Sequence, residues 1–397
     1  MIKREKYLSQ MREFYDKDII KAITGIRRSG KSVLLKQIIE ELTNKGINKD
    51  HIIYINFEDA KYSNITDFKE LYDYIIPKIK DDKKYYLFFD EVQMVNKWEK
   101  VINSFKATLN VSIFITGSNS KLLSGELATL LSGRYVSFKI APFNFKEVTI
   151  LKKPKTSEEI KKDFLDYILW GGMPQRFEFD TIEGTKTFLT DIFDSIVLKD
   201  IVVRYNIKNI ALFKRIMEYL VTNPSRVFSP KNMLTEFEKE DLPISSKTIY
   251  DCLEYAESSM LMTKASEYDI RGKRILSRKD KYYLTDLGLG QILNANKKPQ
   301  YGAYLENIVF NELIYRGYDV SVGNNGGKEI DFIAVKHGIK EYYQVCYYLA
   351  DDNVVEREFG AFTGIDDNYP KYVLSMDELD FSQNGIIHKN IIDWLLN

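Results

Sequence analysis

Ile19-Ile20-Lys21-Ala22-Ile23-Thr24 followed by Gly25-Ile26-Arg27-Arg28-Ser29-Gly30-Lys31-Ser32 is the stretch that decides the fold. The first six residues are an apolar run with β character, the next eight fit the phosphate-loop pattern G-x-x-x-x-G-K-[ST] without a mismatch, and a helical pattern follows. A glycine-bounded bend between a strand and a helix turns successive backbone N–H groups toward phosphate oxygens, and the helix adds its positive N-terminus. Gly25, Ile26, Arg27, Arg28, Ser29, Gly30, Lys31 and Ser32 are therefore the candidate nucleotide-binding residues. Lys31 would reach the β- and γ-phosphates, and the Ser32 hydroxyl would hold Mg²⁺. A chance glycine turn would not need a strand before it and a helix after it.

Working outward, further apolar runs lie at Ile52 to Phe57, Tyr85 to Phe89, Val111 to Thr116 and Tyr135 to Ile140, separated by helical patterns. This alternation predicts an α/β domain with a parallel sheet covered on both faces. The run Tyr85-Tyr86-Leu87-Phe88-Phe89 ends in Asp90 and Glu91. After a phosphate loop, Asp90 fits the acid that holds the metal and Glu91 the carboxylate that orients the attacking water. The run to Thr116 ends in Gly117-Ser118-Asn119-Ser120, where Ser118 or Asn119 could hydrogen-bond the γ-phosphate or that water.

Taken together, Gly25 to Ser32, Phe89-Asp90-Glu91, Thr116 to Ser120, Leu130-Leu131-Ser132-Gly133-Arg134 and Ala141-Pro142-Phe143 closely resemble a group of prokaryotic AAA-type ATPases. Their ATPase domain is followed by a characteristic C-terminal domain of unknown function. Gly171-Gly172-Met173-Pro174 and Lys328-Glu329-Ile330-Asp331-Phe332 extend the likeness over essentially the whole chain. The resemblance implies binding of ATP with Mg²⁺ and slow hydrolysis. It also implies that Arg134 stabilises transition-state charge from a neighbouring subunit, hence a homo-oligomer.

The remainder predicts further units. Lys152 to Ser157 is polar and broken by Pro154, which sets a boundary after an ATPase domain at 1–150; Ser157 is read as the N-cap of the next helix, with Glu158 and Glu159 as acidic first-turn residues. A helical connector (151–222) follows, then a winged-helix domain (223–297) with helices at Ser229 to Glu238 and from Ser245 or Ser246 to Ser259, and two strand-like stretches around Arg271-Gly272. Arg271, Lys273, Arg274, Arg278, Lys279 and Lys281 against Asp280 give this hairpin a local charge of +5 on a chain whose 57 basic and 57 acidic residues cancel. With Lys247 at the start of the preceding helix, they are the candidate contacts to double-stranded DNA. A solvated hairpin used for protein contacts is the competing reading.

The last module (298–397) has the order helix, three strands, helix, strand, with Glu306, Asp331 and Gln344 at positions similar to those of PD-(D/E)XK nucleases. Gln344-Val345-Cys346 departs from the acid-x-lysine pattern of that fold, so a degenerate nuclease fold is expected, with Glu306, Asp331 and Gln344 as a reduced metal site at most. Cys252 and Cys346 are too few for a disulfide framework or a cysteine-rich zinc site, and His51, His337 and His388 are far apart. No apolar run approaches the roughly 18 residues needed to span a bilayer, and the start lacks the apolar core of a signal peptide, so a cytoplasmic protein without a membrane partner is expected. Three functions fit: an ATP-driven switch or motor on DNA, an ATP-regulated nuclease, and a nucleotide-gated protein-interaction module.

Overall fold

The structure is a computed structural model; it describes residues 2–397 apart from 118–130, 132, 224, 226–227, 240–243, 273 and 295–297, with the backbone alone at 276–279. The contacts divide the chain into two compact units, Met1–Pro142 with Ser258–Met260, and Phe143–Glu257 with Leu261–Asn397. In sequence, the main segment of the first unit ends at Pro142.

The first unit contains α1 (Glu5–Arg12), β1 (Ile20–Thr24), α2 (Lys31–Asn44), β2 (Ile52–Asn56), α3 (Phe68–Ile75), β3 (Tyr85–Asp90), α4 (Trp98–Thr108), β4 (Val111–Gly117) and β5 (Tyr135–Lys139). The strands form a five-stranded sheet in the order β2-β3-β4-β1-β5, parallel throughout. Every residue of β1, β3 and β4 is buried, which explains why these strands read as continuous apolar runs rather than as alternating ones. Ile55, Leu87, Phe89 and Ile113 on one side of the sheet pack with Leu71 and Ile75 of α3 and Ile102 and Phe105 of α4. Because all five strands run the same way, Thr24, Asp90 and Gly117 finish at one edge, where an open α/β sheet binds its ligands.

Lys21 breaks the apolar run of β1. Its side chain is buried, and its ammonium donates to Ser112 Oγ at 2.7 Å and to the Lys17 carbonyl at 3.0 Å above the ring of Phe114. Burial, reinforced by Lys84 and Lys106 and opposed by Asp16 and Asp18, pushes its pKa down to about 7. Between that value and the ordinary 10.5, the unfolded chain binds a proton that the folded chain lacks. Stability therefore rises with pH across this window, by up to about 1.4 kcal/mol per pH unit. Urea unfolding of the wild type and Lys21→Met at pH 7.5 and 9.5 checks this: the gain at high pH should be present in the wild type and absent from the variant.

The second unit begins with α5 (Phe145–Lys152), α6 (Ser157–Trp170) and α7 (Ile182–Ser195), which continues through a π-helical stretch, Ile196–Val202. The cap of α6 is Thr156, whose side chain accepts from Glu159 N at 3.2 Å; Ser157, the expected cap, is the first helical residue. Next come α8 (Ile210–Val221), α9 (Pro230–Lys239), α10 (Ser246–Ser258), β6 (Met262–Asp269), β7 (Arg274–Leu284), α11 (Gly288–Gln291) and α12 (Tyr301–Arg316). The chain closes with β8 (Asp319–Asn325), β9 (Lys328–Lys336), β10 (Ile339–Val345), α13 (Asp352–Gly360), β11 (Lys371–Ser375), β12 (Ile387–Asn390) and α14 (Ile391–Leu396).

The β6–β7 hairpin is not a free wing. Glu267, Tyr268 and Asp269 of β6 pair in parallel with Val322, Gly323 and Asn324 of β8, making one seven-stranded sheet in the order β12-β11-β10-β9-β8-β6-β7. The sheet runs across the boundary expected at residue 297, because the outer edge of β8 offers backbone groups that β6 satisfies.

Gly171-Gly172-Met173-Pro174 has a structural explanation in the same unit. The buried Asp286 carboxylate accepts from Gly172 N at 2.7 Å and Gly288 N at 2.9 Å, while Arg176 Nε donates to the Gly171 carbonyl at 2.7 Å. The double glycine closes a turn against a buried acid, whose pKa burial pushes up to about 6.

Candidate nucleotide-binding site

The phosphate-loop residues connect β1 to α2 as the sequence predicts. A Cβ on Gly25 would lie 2.3 Å from the Ile140 carbonyl oxygen, so only glycine lets the bend pass the end of β5 this closely. Gly30, with φ of 100°, turns the chain into α2 through a backbone region that L side chains rarely adopt. Lys31, the first residue of the helix, is 4% exposed and folds back to donate to the carbonyls of Gly25 (3.1 Å) and Ile26 (3.3 Å). Ile26 is buried, Arg27 faces Glu58 at 3.6 Å, and Arg28 is exposed with φ of 66°.

Asp90 ends the strand next but one in the sheet, and Glu91 follows it. Thr116, on the intervening β4, donates its hydroxyl to Asp90 Oδ1 at 2.5 Å and accepts Glu91 N at 2.9 Å. Tyr54 donates to Asp90 Oδ2 at 2.9 Å, which leaves each carboxylate oxygen a lone pair for a further partner. Glu91 has φ of 56°, an uncommon conformation for a residue with a Cβ. Its carboxylate accepts from Gln93 and lies 3.8 Å from Lys31 Nζ. Strand order thus brings together Gly25 to Ser32, Asp90 and Glu91, although some 60 residues of chain separate loop and acids. Thr116 and Tyr54 were not singled out as site residues from the sequence; the available signal was a short hydroxyl at the end of the strand beside the acids.

These residues fit a nucleoside triphosphate with its metal. The bend is a glycine cradle that a Cβ would fill, and the hydroxyls of Thr24 and Ser29 are buried without a hydrogen-bond partner among the described residues. A cation and a carboxylate converge beside them. Ser118 and Asn119 lie outside the described residues.

Arg134 is exposed and donates to Asn103 Oδ1 at 3.4 Å. Its carbonyl accepts Ile20 N, so it stands at the start of β5, whereas the phosphate loop leaves the far end of β1. About 13 Å of strand lies between them. This placement rules Arg134 out of its own phosphate site.

In the second unit, Lys281 corrects the expectation of a DNA contact. It is 3% exposed and donates to Glu306 Oε1 at 2.9 Å and Glu329 Oε1 at 2.6 Å, so it neutralises buried carboxylates instead of facing phosphate. The expected metal trio, Glu306, Asp331 and Gln344, carries bonds of its own. Glu306 also accepts from Tyr283, Asp331 Oδ2 accepts from Val345 N at 2.8 Å, and Gln344 turns its oxygen to Asp331 N at 3.1 Å. Among the described residues, no group of three or more His, Cys, Asp or Glu side chains is placed to hold a metal.

Lys247, Arg271 and Arg274 remain exposed, with Arg271 Nε donating to Asn325 Oδ1 at 3.4 Å. Lys273 and the side chains of Arg278 and Lys279 lie outside the described residues.

Ser375, Asp377 and His388 also meet, but in the wrong order for a nucleophile. Ser375 Oγ donates to Asp377 Oδ2 at 2.8 Å and so accepts from His388 Nε2 at 2.9 Å, leaving the imidazole no part in taking the serine proton.

Residues 17–149 match the family described as AAA domain, and residues 161–300 match a domain of unknown function (DUF8612). An uncharacterized protein of Haemophilus influenzae is 40% identical over 100% of this chain and 99% of its own length. The uncharacterized protein MJ1544 of Methanocaldococcus jannaschii is 36% identical over 86% of this chain and 78% of its own. Among solved structures, the Walker-type ATPase of Pyrococcus abyssi is similar at 14% identity with a TM-score of 0.49, covering 74% of this chain and 96% of that one. No described helix is long and apolar enough to cross a membrane.

Proposed function

Since the chain belongs to the family of AAA-domain proteins that includes the Haemophilus and Methanocaldococcus relatives, we propose that it is an ATP-binding, ATP-hydrolysing switch that engages DNA through its second unit. The observation that carries the ATP part is the convergence of Lys31 and Glu91, 3.8 Å apart, at the sheet edge where the glycine bend opens. Backbone N–H groups of the bend and the Lys31 ammonium bind the phosphates. Glu91 orients a water and takes its proton, its backbone fixed by Thr116. Ser32 and Asp90 would hold Mg²⁺, which when bound neutralises charge developing on the phosphate oxygens. Arg134, excluded from its own site, would act on that of a second copy.

DNA engagement rests on the exposed basic residues Lys247, Arg271 and Arg274 together with Lys273, Arg278 and Lys279; phosphate contacts of this kind confer salt-sensitive affinity with little sequence preference. Reversing Arg271 and Arg274 to glutamate should abolish retention of a double-stranded DNA fragment at low salt, and should weaken the salt dependence of any binding left. Unchanged retention would remove DNA from the proposal and favour a module that gates protein contacts. The nuclease reading has less support, because Gln344-Val345-Cys346 lacks the acid and the lysine that would hold a metal and activate water there.

A further inference from the structure

Arg4 precedes α1, carries no motif and is absent from the machinery described so far, yet it is one of the most deeply placed cations of the first unit at 2% exposure. Its guanidinium fork spans the site: one nitrogen donates to the Ser29 carbonyl at 3.3 Å, inside the phosphate loop, and another to the Ala141 carbonyl at 2.9 Å, after β5. Its own backbone N–H is held by Gln37 Oε1 of α2 at 3.1 Å, and the Gln37 amide returns a bond to the Ile2 carbonyl at 2.8 Å, so the arginine is fixed to the helix that the loop feeds. The guanidinium also lies 4.8 Å from the ring centroid of Tyr7, whose hydroxyl accepts Ala141 N at 3.0 Å.

The consequence follows from peptide planarity. In a trans peptide the C=O and the following N–H point in opposite directions. Arg4 draws the Ser29 oxygen to itself, so the N–H of Gly30 in the same peptide plane must face the other way. Without that hold, the peptide is free to rotate and present its carbonyl to the phosphates, which repels the anion that the N–H would bind. The second arm of the fork steadies Ala141, whose neighbour Ile140 carries the carbonyl against which Gly25 is packed. Both glycine ends of the bend are thereby referred to one side chain.

We infer that Arg4 is a positioning residue for nucleotide binding: it sets the orientation of the Ser29–Gly30 peptide and braces the bend against the end of β5 without touching the ligand. The inference rests on the nucleotide reading above. Its role is in binding rather than in the chemical step, so its loss should raise KM for ATP and leave kcat nearly unchanged. Lysine, a single point donor, cannot span two carbonyls, so Arg4→Lys should resemble Arg4→Ala.

The test is calorimetric titration of Mg-ATP into the full-length wild type, Arg4→Ala, Arg4→Lys and Tyr7→Phe, with steady-state hydrolysis measured on the same preparations. Arg4→Ala and Arg4→Lys are expected to raise Kd and KM by about tenfold or more, with kcat within about threefold of the wild type. Tyr7→Phe, which removes the acceptor for Ala141 N and keeps the ring beside Arg4, should shift Kd in the same direction by less, and it decides the matter if the Arg4 variants fail to fold. A folded Arg4→Ala with wild-type Kd, a fall in kcat as large as that in kcat/KM, or, where the Arg4 variants do not fold, a Tyr7→Phe with wild-type Kd, overturns the inference while leaving ATP binding intact. Absence of binding by the wild type overturns the nucleotide reading, and this inference with it.

Discussion

Lys31→Ala is expected to remove nucleotide binding while leaving the protein folded. The ammonium is nearly buried and its hydrogen bonds run to two carbonyls of its own loop, with the Glu91 carboxylate 3.8 Å away. A phosphate entering the bend would give this ammonium a charged acceptor at hydrogen-bond distance. Two charge-assisted hydrogen bonds to phosphate are together worth about 3–6 kcal/mol, so Kd for ATP should rise by roughly 10²–10⁴. The same truncation takes a buried charge out of the protein, so thermal unfolding without nucleotide should be no earlier than in the wild type. Calorimetry and circular dichroism on one preparation separate the two effects; an alanine variant that binds ATP as the wild type does would remove Lys31 from the site.

Glu91→Gln should separate binding from turnover. The side chain is held where it stands by a left-handed backbone, by Thr116 bonding its amide and by Gln93 bonding its carboxylate. Glutamine keeps the shape and the hydrogen-bond acceptor but cannot take a proton from water. Loss of a positioned general base typically costs about 10²–10⁴ in rate. ATP affinity should be preserved or improved, because a negative group beside the incoming phosphates becomes neutral. Single-turnover hydrolysis of radiolabelled ATP reads the rate, and co-elution of uncleaved ATP with the variant reads the trapped complex. Turnover at the wild-type rate would deprive Glu91 of its role.

How much of this was legible in the sequence differs between the units. In the first, each central strand is covered on both faces, so burial wrote itself as unbroken apolar runs, and all five expected strands are present with ends shifted by no more than one residue. Lys21 shows the limit of that logic: a lysine within such a run reads as an interruption, and only the contacts with Ser112 and Lys17 explain how it is accommodated. The phosphate loop and acids were visible because their chemistry fixes residue type and spacing. Thr116, Tyr54 and Arg4 were not, since each acts through neighbours that the sheet and the N-terminal segment bring together.

In the second unit, charge was a poor guide to location. Lys281 belongs to the same basic run as Arg274, but it lies beyond a register shift in β7, in the buried stretch Lys281 to Leu284, and bonds Glu306 and Glu329 while Arg274 stays exposed. The hairpin itself resembled a wing because strand, turn and strand are local features, whereas its pairing to β8 joins residues some 55 positions apart and leaves no local mark. Gly171-Gly172-Met173-Pro174 stood out as a motif, and its partner Asp286, over 110 residues away, shows that a motif can record packing rather than chemistry.

The most direct measurement is titration of Mg-ATP into the purified wild-type protein by calorimetry. A saturable heat with one nucleotide per chain, lost in Lys31→Ala, is the expected result. No heat with adenine or guanine triphosphates at protein concentrations in the tens of micromolar, where a site of micromolar Kd would be filled, would contradict a phosphate-binding role for the bend between β1 and α2.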